Sequence, residues 1–184
     1  MVTRKYAKDF TIKYEETPSG RLKARAVYTG RYYAFSDTDE KVRRTAKFFT
    51  LLLSVALIAF LVPLFIISTA ARTSYVILPH ALCFFPLVGM SAVTVDLWTE
   101  KPPLTREKRD HISQRAPISA LLMVLFSGAA TAGFITRLFV SPEMLPGDLV
   151  FALCEAALLA ASILLFAGRE RTATREAGEY EKNE

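Results

Sequence analysis

Five side chains in this 184-residue sequence have types that could do chemistry inside otherwise apolar stretches: His80, Cys83, Arg137, Cys154 and Glu155. Both cysteines of the chain lie in the tripeptide Ala-Leu-Cys, at 81–83 and 152–154, with His80 just before one copy and Glu155 just after the other. These ligand types would suit zinc or copper, but their spacing matches no metal motif, and no metal site is expected. A thiol oxidoreductase would need Cys-x-x-Cys, which is missing, so the thiols read as small packing groups. The other histidine, His111, lies in a polar segment, which excludes a bis-histidine haem. Metalloprotease, phosphate-loop and nucleophile-elbow signatures are also missing, so neither a catalytic residue nor a cofactor is expected.

An ionisable side chain at membrane depth is costly and needs a partner. Glu155 is the first candidate, because a carboxylate on a short stem cannot snorkel as Lys or Arg can. His80 and Arg137 are the partners within reach. Counted inward from residues 74 and 149, His80 and Glu155 each lie six positions deep, about 9 Å at helical rise.

The elements that must position these groups are apolar runs. Residues 48–67, 74–95 and 116–136 carry no Lys, Arg, Asp or Glu, and 149–167 is interrupted only by Glu155. About 20 residues of helix cross a hydrocarbon core of about 30 Å. The sequence therefore predicts an all-α integral membrane protein. Its four transmembrane helices, at about 47–68, 74–97, 116–138 and 148–168, form two antiparallel hairpins in one bundle. A soluble bundle would keep a polar stripe on each helix. A secretory leader would begin its apolar region earlier and make it shorter, so no cleavage is expected.

Charge sets the orientation. The chain carries +5 net charge, with a mean hydropathy of +0.26. Twelve Lys and Arg precede the first span and five lie between the second and third, whereas Arg72 is alone in one opposite connection and Arg137 edges the other. By the positive-inside rule both termini are expected to be cytoplasmic, and the membrane is expected to be the plasma membrane of a prokaryote. Tyr75 and Trp98 mark the two ends of the second span, and Pro63, Pro79 and Pro86 are expected to kink the first two.

Residues 1–44 form a basic N-terminal region. Its strands at 10–16, 21–26 and 31–35, with turns at 17–20 and 29–30, predict a small cytoplasmic β-meander that needs a surface to lie on. Short polar helices are expected at 37–47 and 105–115, the second capped by Thr105. The transmembrane domain is 45–168, and the charged tail, 169–184, is expected to extend the last helix. Asp96 and Glu100 are expected to pair with Lys101 and Arg106.

A shift of 71 residues aligns Arg44, Leu51, Ala59, the first Ala-Leu-Cys and Leu87 with Arg115, Leu122, Ala130, the second Ala-Leu-Cys and Leu158. Two parallel hairpins would match in this way with or without a common origin. Small residues at Gly128, Ala129, Ala132 and Gly133, and at Ala152, Ala156, Ala157, Ala160 and Ala161, are expected to bring the third and fourth spans close. The first span is then left to face lipid or a partner.

The functional expectation is a non-catalytic scaffold, accessory subunit or regulator docking through Arg21, Lys23, Arg25, Arg31, Tyr32 and Tyr33. Its partners would be the bilayer, anionic headgroups, and a protein or a second copy rather than nucleic acid. A small transporter or channel component titrating Glu155 and His80 is the alternative. A membrane enzyme acting on a lipid or quinone is third.

Overall fold

The computed structural model describes residues 4–16 and 22–177. The expected turn at 17–20, Arg21 of the basic patch, and the end of the tail lie outside the described residues. Helix α1 (Asp39–Leu61) starts after Thr38 with Asp39 and Glu40 in its first turn, where carboxylates oppose the helix dipole. It absorbs the polar helix expected before the first span. Pro63 then sits in a short 3-10 turn, Val62–Phe65, so α1 ends there instead of bending. The second apolar run is split into α2 (Ser74–Leu82) and α3 (Phe84–Thr99). Pro79 and Pro86 flank this break, and each withholds a backbone N–H from the helix ladder.

Helix α4 (Arg106–Val140) takes in both the polar segment and the third run, and its Thr105 cap accepts the Lys108 N–H at 3.5 Å. Helix α5 (Pro146–Ala167) completes four helical segments long and apolar enough to cross a membrane. Around the bundle α1 packs on α3, α3 on α4, α4 on α5, and α5 back on α1. Buried positions recur at alternating intervals of three and four: Ala116, Ala120, Met123, Ser127, Ala130 and Phe134 on α4, and Phe151, Glu155, Leu158, Ser162 and Leu165 on α5. That spacing is the signature of shallow left-handed helix packing. Only about a third of the most apolar window of each segment is buried (33%, 39%, 33% and 33%). The outside displays Leu51, Ile58, Leu121, Leu125, Leu153 and Ile163. So much exposed apolar surface is stable against hydrocarbon and not against water.

Two expectations about packing are corrected. Helix α1 buries a stripe of its own, with Ala46, Phe49, Ala56 and Phe60 in the core, because alanine alternating with phenylalanine interdigitates as well as glycine does. Helices α4 and α5 do pack together as expected, but not chiefly through the small-residue ridges: Ala129, Ala132, Ala156 and Ala160 are exposed, and of the nine only Ala161 is buried. Gly133 makes its close approach to α2 rather than α5.

The N-terminal strands β1 (Phe10–Glu16) and β2 (Leu22–Tyr28) form an antiparallel hairpin, from Phe10 opposite Tyr28 to Glu16 opposite Leu22. The expected meander stops there. The Asp9 carbonyl accepts both the Thr29 and Gly30 N–H groups at 2.8 and 3.2 Å and closes the hairpin base. Strand β3 (Tyr33–Phe35) then pairs with β4 (Thr174–Glu176), and Tyr33 also bridges Leu104. The tail therefore does not prolong α5. The helix ends at Ala167, and the chain passes through a 3-10 turn, Gly168–Thr172, into a strand.

A methyl group added at Gly133 would meet the Tyr75 carbonyl oxygen at 2.7 Å, whereas one at Gly128 meets nothing within 4 Å. Gly133→Ala should therefore destabilise the bundle by about 1–3 kcal/mol. Gly128→Ala should be neutral or stabilising by up to about 1 kcal/mol through helix propensity. Thermal unfolding in detergent compares the two, and equal effects would contradict the α2–α4 contact.

Candidate functional site

His80 lies in the last turn of α2, just before the proline-flanked break, and faces the buried stripe of α5 that contains Glu155. The two side chains are 0% and 1% exposed, and His80 Nδ1 contacts Glu155 Oε1 directly. His80 Nε2 is 3.0 Å from the Phe60 carbonyl, in the final turn of α1, where helix carbonyls lose their intrahelical partners. A carbonyl only accepts, so Nε2 carries a hydrogen and donates it. Nδ1 then either accepts from a protonated Glu155 or, as imidazolium, donates to the carboxylate. In both forms one proton lies between the residues and the pair is neutral overall. That neutrality is what a low-dielectric interior favours.

Aromatic rings enclose the imidazole. Phe60 stacks on it at 5.0 Å, Phe151 lies at 5.7 Å, and Phe134 stacks on Phe151 at 5.9 Å. The column joins α1, α2, α4 and α5. Glu155 Oε2 is buried without a hydrogen-bond partner. Two cavities of about 360 and 560 Å³ lie elsewhere, and neither is lined by His80 or Glu155.

Arg137 does not join this pair. Its guanidinium lies 3.7 Å from Asp148 and donates to the Glu143 carbonyl at 2.7 Å. Asp148, fully buried, also accepts from the Thr69 hydroxyl (2.6 Å), the Ala70 N–H (3.0 Å) and the Leu145 N–H (2.8 Å). One carboxylate thus ties both connections at this end of the bundle. Sequence reasoning passed over Asp148, although an acidic residue two places after Pro146 at a helix start is a recognisable signal. The thiols are both free, and Cys83 is buried beside the Pro79 carbonyl. Among the described residues no three His, Cys, Asp or Glu side chains converge as metal ligands.

The opposite end carries the basic region. Asp110 accepts from Lys5 (3.2 Å) and Tyr6 (3.1 Å); the bond to Asp110, and after it the neighbouring Tyr6, raises the Lys5 pKa. The Tyr28 hydroxyl accepts the Arg106 N–H (2.9 Å) and donates to the Arg31 carbonyl (2.8 Å); burial pushes its pKa up, with the Arg106 N–H opposing. The expected partners of Asp96 and Glu100 are replaced by His111 and Lys108. Arg106 turns instead toward Asp9 at 3.9 Å.

The five described residues of the expected docking patch are dispersed. Tyr33 is only 6% exposed, is bonded to Leu104 through its backbone, and lies under the Arg109 guanidinium at 4.5 Å. Arg31 pairs with Glu176 at 3.0 Å, and Tyr32 packs edge-on to Tyr28. Lys23 and Arg25 stand exposed on β2, and Arg21 is outside the described residues.

Glu155→Gln keeps a donor for Nδ1 and should cost about 1 kcal/mol or less. Glu155→Ala opens a cavity and strips the imidazole of its partner, which should cost about 3–5 kcal/mol. Unfolding in detergent distinguishes them, and two equal losses would mean that an amide cannot stand in for the carboxyl group at Nδ1, as expected of an imidazolium–carboxylate pair. Comparison with protein-family models, curated proteins and solved structures returned no match, so the functional reading rests on the geometry of this chain.

Proposed function

We propose that this chain is a non-catalytic multi-pass membrane protein that serves as a scaffold or accessory subunit, using its N-terminal hairpin as the docking element. The observation that carries the reading is the hairpin surface. Register places Ile12, Tyr14 and Leu22 on one face with Ala24 and Ala26, and the three large side chains are 62%, 69% and 67% exposed. Lys13, Lys23 and Arg25 occupy the other face. A two-stranded sheet with a bare apolar face is marginal alone and gains stability from a partner. Its base, by contrast, is fixed to the bundle through Asp9 with Arg106, Tyr28 with the Arg106 N–H, and Tyr6 with Asp110.

The basic residues gathered at that end support a cytoplasmic location for it. The enclosed, charge-neutral His80–Glu155 pair fits a structural lock better than a transport site. For topology, a single cysteine at Thr29 in a Cys83→Ala, Cys154→Ala background should resist an impermeant maleimide in intact cells, while one at Glu143 should react. The reverse pattern would invert the orientation.

For the docking role, a photo-crosslinking residue at Tyr14 or Leu22 should give one discrete protein adduct, and Ile12→Lys should abolish it with membrane insertion intact. If only lipid is captured, the hairpin is not a protein-docking element. Cation or proton uptake into liposomes that is lost in Glu155→Gln would overturn the non-transport reading.

A further inference from the structure

On the outside of the bundle, α1 and α3 border a groove that has two chemically different halves, with Trp98 lining both. The inner half, about 360 Å³, is lined by Leu53, Leu57, Phe84, Leu87, Val88 and Val95, together with four hydroxyl residues. Those hydroxyls are already committed. Thr50 donates to the Ala46 carbonyl at 2.8 Å, Ser54 to Thr50 at 2.9 Å, Ser91 to Leu87 at 2.8 Å and Thr94 to Met90 at 3.0 Å. The groove therefore offers hydrocarbon contact and no free donor, which suits an acyl chain and not a polar solute.

The outer half, about 560 Å³, opens at the hairpin end of the bundle and is lined by Asp39, Glu40, Arg43, Glu100 and Lys101. Glu100 is already paired with Lys108. The remaining four charges, two of each sign, have no ion-pair partner among the described residues. Trp98 lines both halves and is pinned between them by its indole N–H donating to the Thr50 hydroxyl at 3.0 Å. From Arg43 to Leu57 the groove follows 14 residues of α1, about 21 Å. That exceeds the half-thickness of a hydrocarbon core of about 30 Å, so one leaflet's chain fits along it.

We infer that this groove binds one phospholipid with a zwitterionic amine headgroup, its acyl chain between α1 and α3, its phosphate at Arg43 and Lys101, and its ammonium at Asp39 and Glu40. Equal numbers of unpaired cations and anions select phosphoethanolamine over a purely anionic head. An anionic lipid would satisfy Arg43 and Lys101 and leave two carboxylates facing its phosphate. The inference needs the bundle to lie in a bilayer but does not depend on the docking role of the hairpin.

Native mass spectrometry of the full chain in detergent tests it, with phosphatidylethanolamine, phosphatidylglycerol and phosphatidylcholine of identical chains. One phosphatidylethanolamine should be retained about tenfold more strongly than either competitor, because phosphatidylglycerol has no cation for Asp39 and Glu40 and the quaternary ammonium of phosphatidylcholine has no N–H to donate to them. Arg43→Gln with Lys101→Gln should erase most of that retention. Asp39→Asn with Glu40→Gln should transfer the preference to phosphatidylglycerol. All four positions are exposed and unpaired, so folding is expected to survive, and matching unfolding temperatures would check this. Val88→Trp, which fills the apolar half, should lower retention of every lipid. Equal retention of the three lipids, a wild-type preference for phosphatidylglycerol, no lipid retained, or retention unchanged by the charge variants would each overturn the assignment.

Discussion

In hydrocarbon a polar group must find its partner within the protein, and the buried contact between His80 and Glu155 meets that requirement in this bundle. The imidazole reaches α5 through Nδ1 and the end of α1 through Nε2. A side chain on one helix thus fixes two others, and the stacked rings of Phe60, Phe151 and Phe134 extend the link to α4. In a bilayer an apolar residue would make a weaker link, because apolar side chains gain little by leaving lipid for a protein interior. A hydrogen-bonded pair gains much more, since the alternative is an unmet donor or carboxylate at the same depth.

The same constraint explains the quieter polar residues. Ser127 and Ser162 are buried, and each donates to the carbonyl four residues back, at 2.6 and 2.7 Å. They satisfy themselves without linking helices. Side chains that link elements instead collect at the two ends. Asp148 gathers the turns at one end, while Asp110, Tyr28 and Asp96 hold the hairpin and the α3–α4 connection at the other. Between them, cohesion comes from shape: the alternating three-and-four stripes and the rings around the imidazole.

How much of this was legible in the sequence follows from the range of each cause. Hydropathy acts over a single helix, so four membrane-length segments were readable, as was the Thr105 cap, whose donor is three residues away. That His80 and Glu155 meet at one level of the bundle was also readable, because it needs only the helical rise and helices that start together. The strand pair β3–β4 was not, since it joins segments about 140 residues apart and Thr174–Glu176 carries no alternating pattern of its own. Arg137 was misassigned for a related reason. By count it lies near Glu155, but a long side chain at a helix end turns toward the cap, where Asp148 and the Glu143 carbonyl await it.

The Ala-Leu-Cys duplication takes a physical meaning once the pair is seen. Under the 71-residue shift His80 corresponds to Phe151, and Phe84 to Glu155. Each half thus supplies one polar and one aromatic residue, four apart and in opposite order. Crossed against each other, the polar members meet, while Phe151 lies against the imidazole and Phe84 against Phe60. Two antiparallel hairpins starting at the same face bring equivalent depths together with or without a shared origin. What burial demands is that a polar group on one hairpin be answered by a polar group on the other and screened by a ring. The cysteines only mark that level, and their unequal neighbours are the side chains that meet across it.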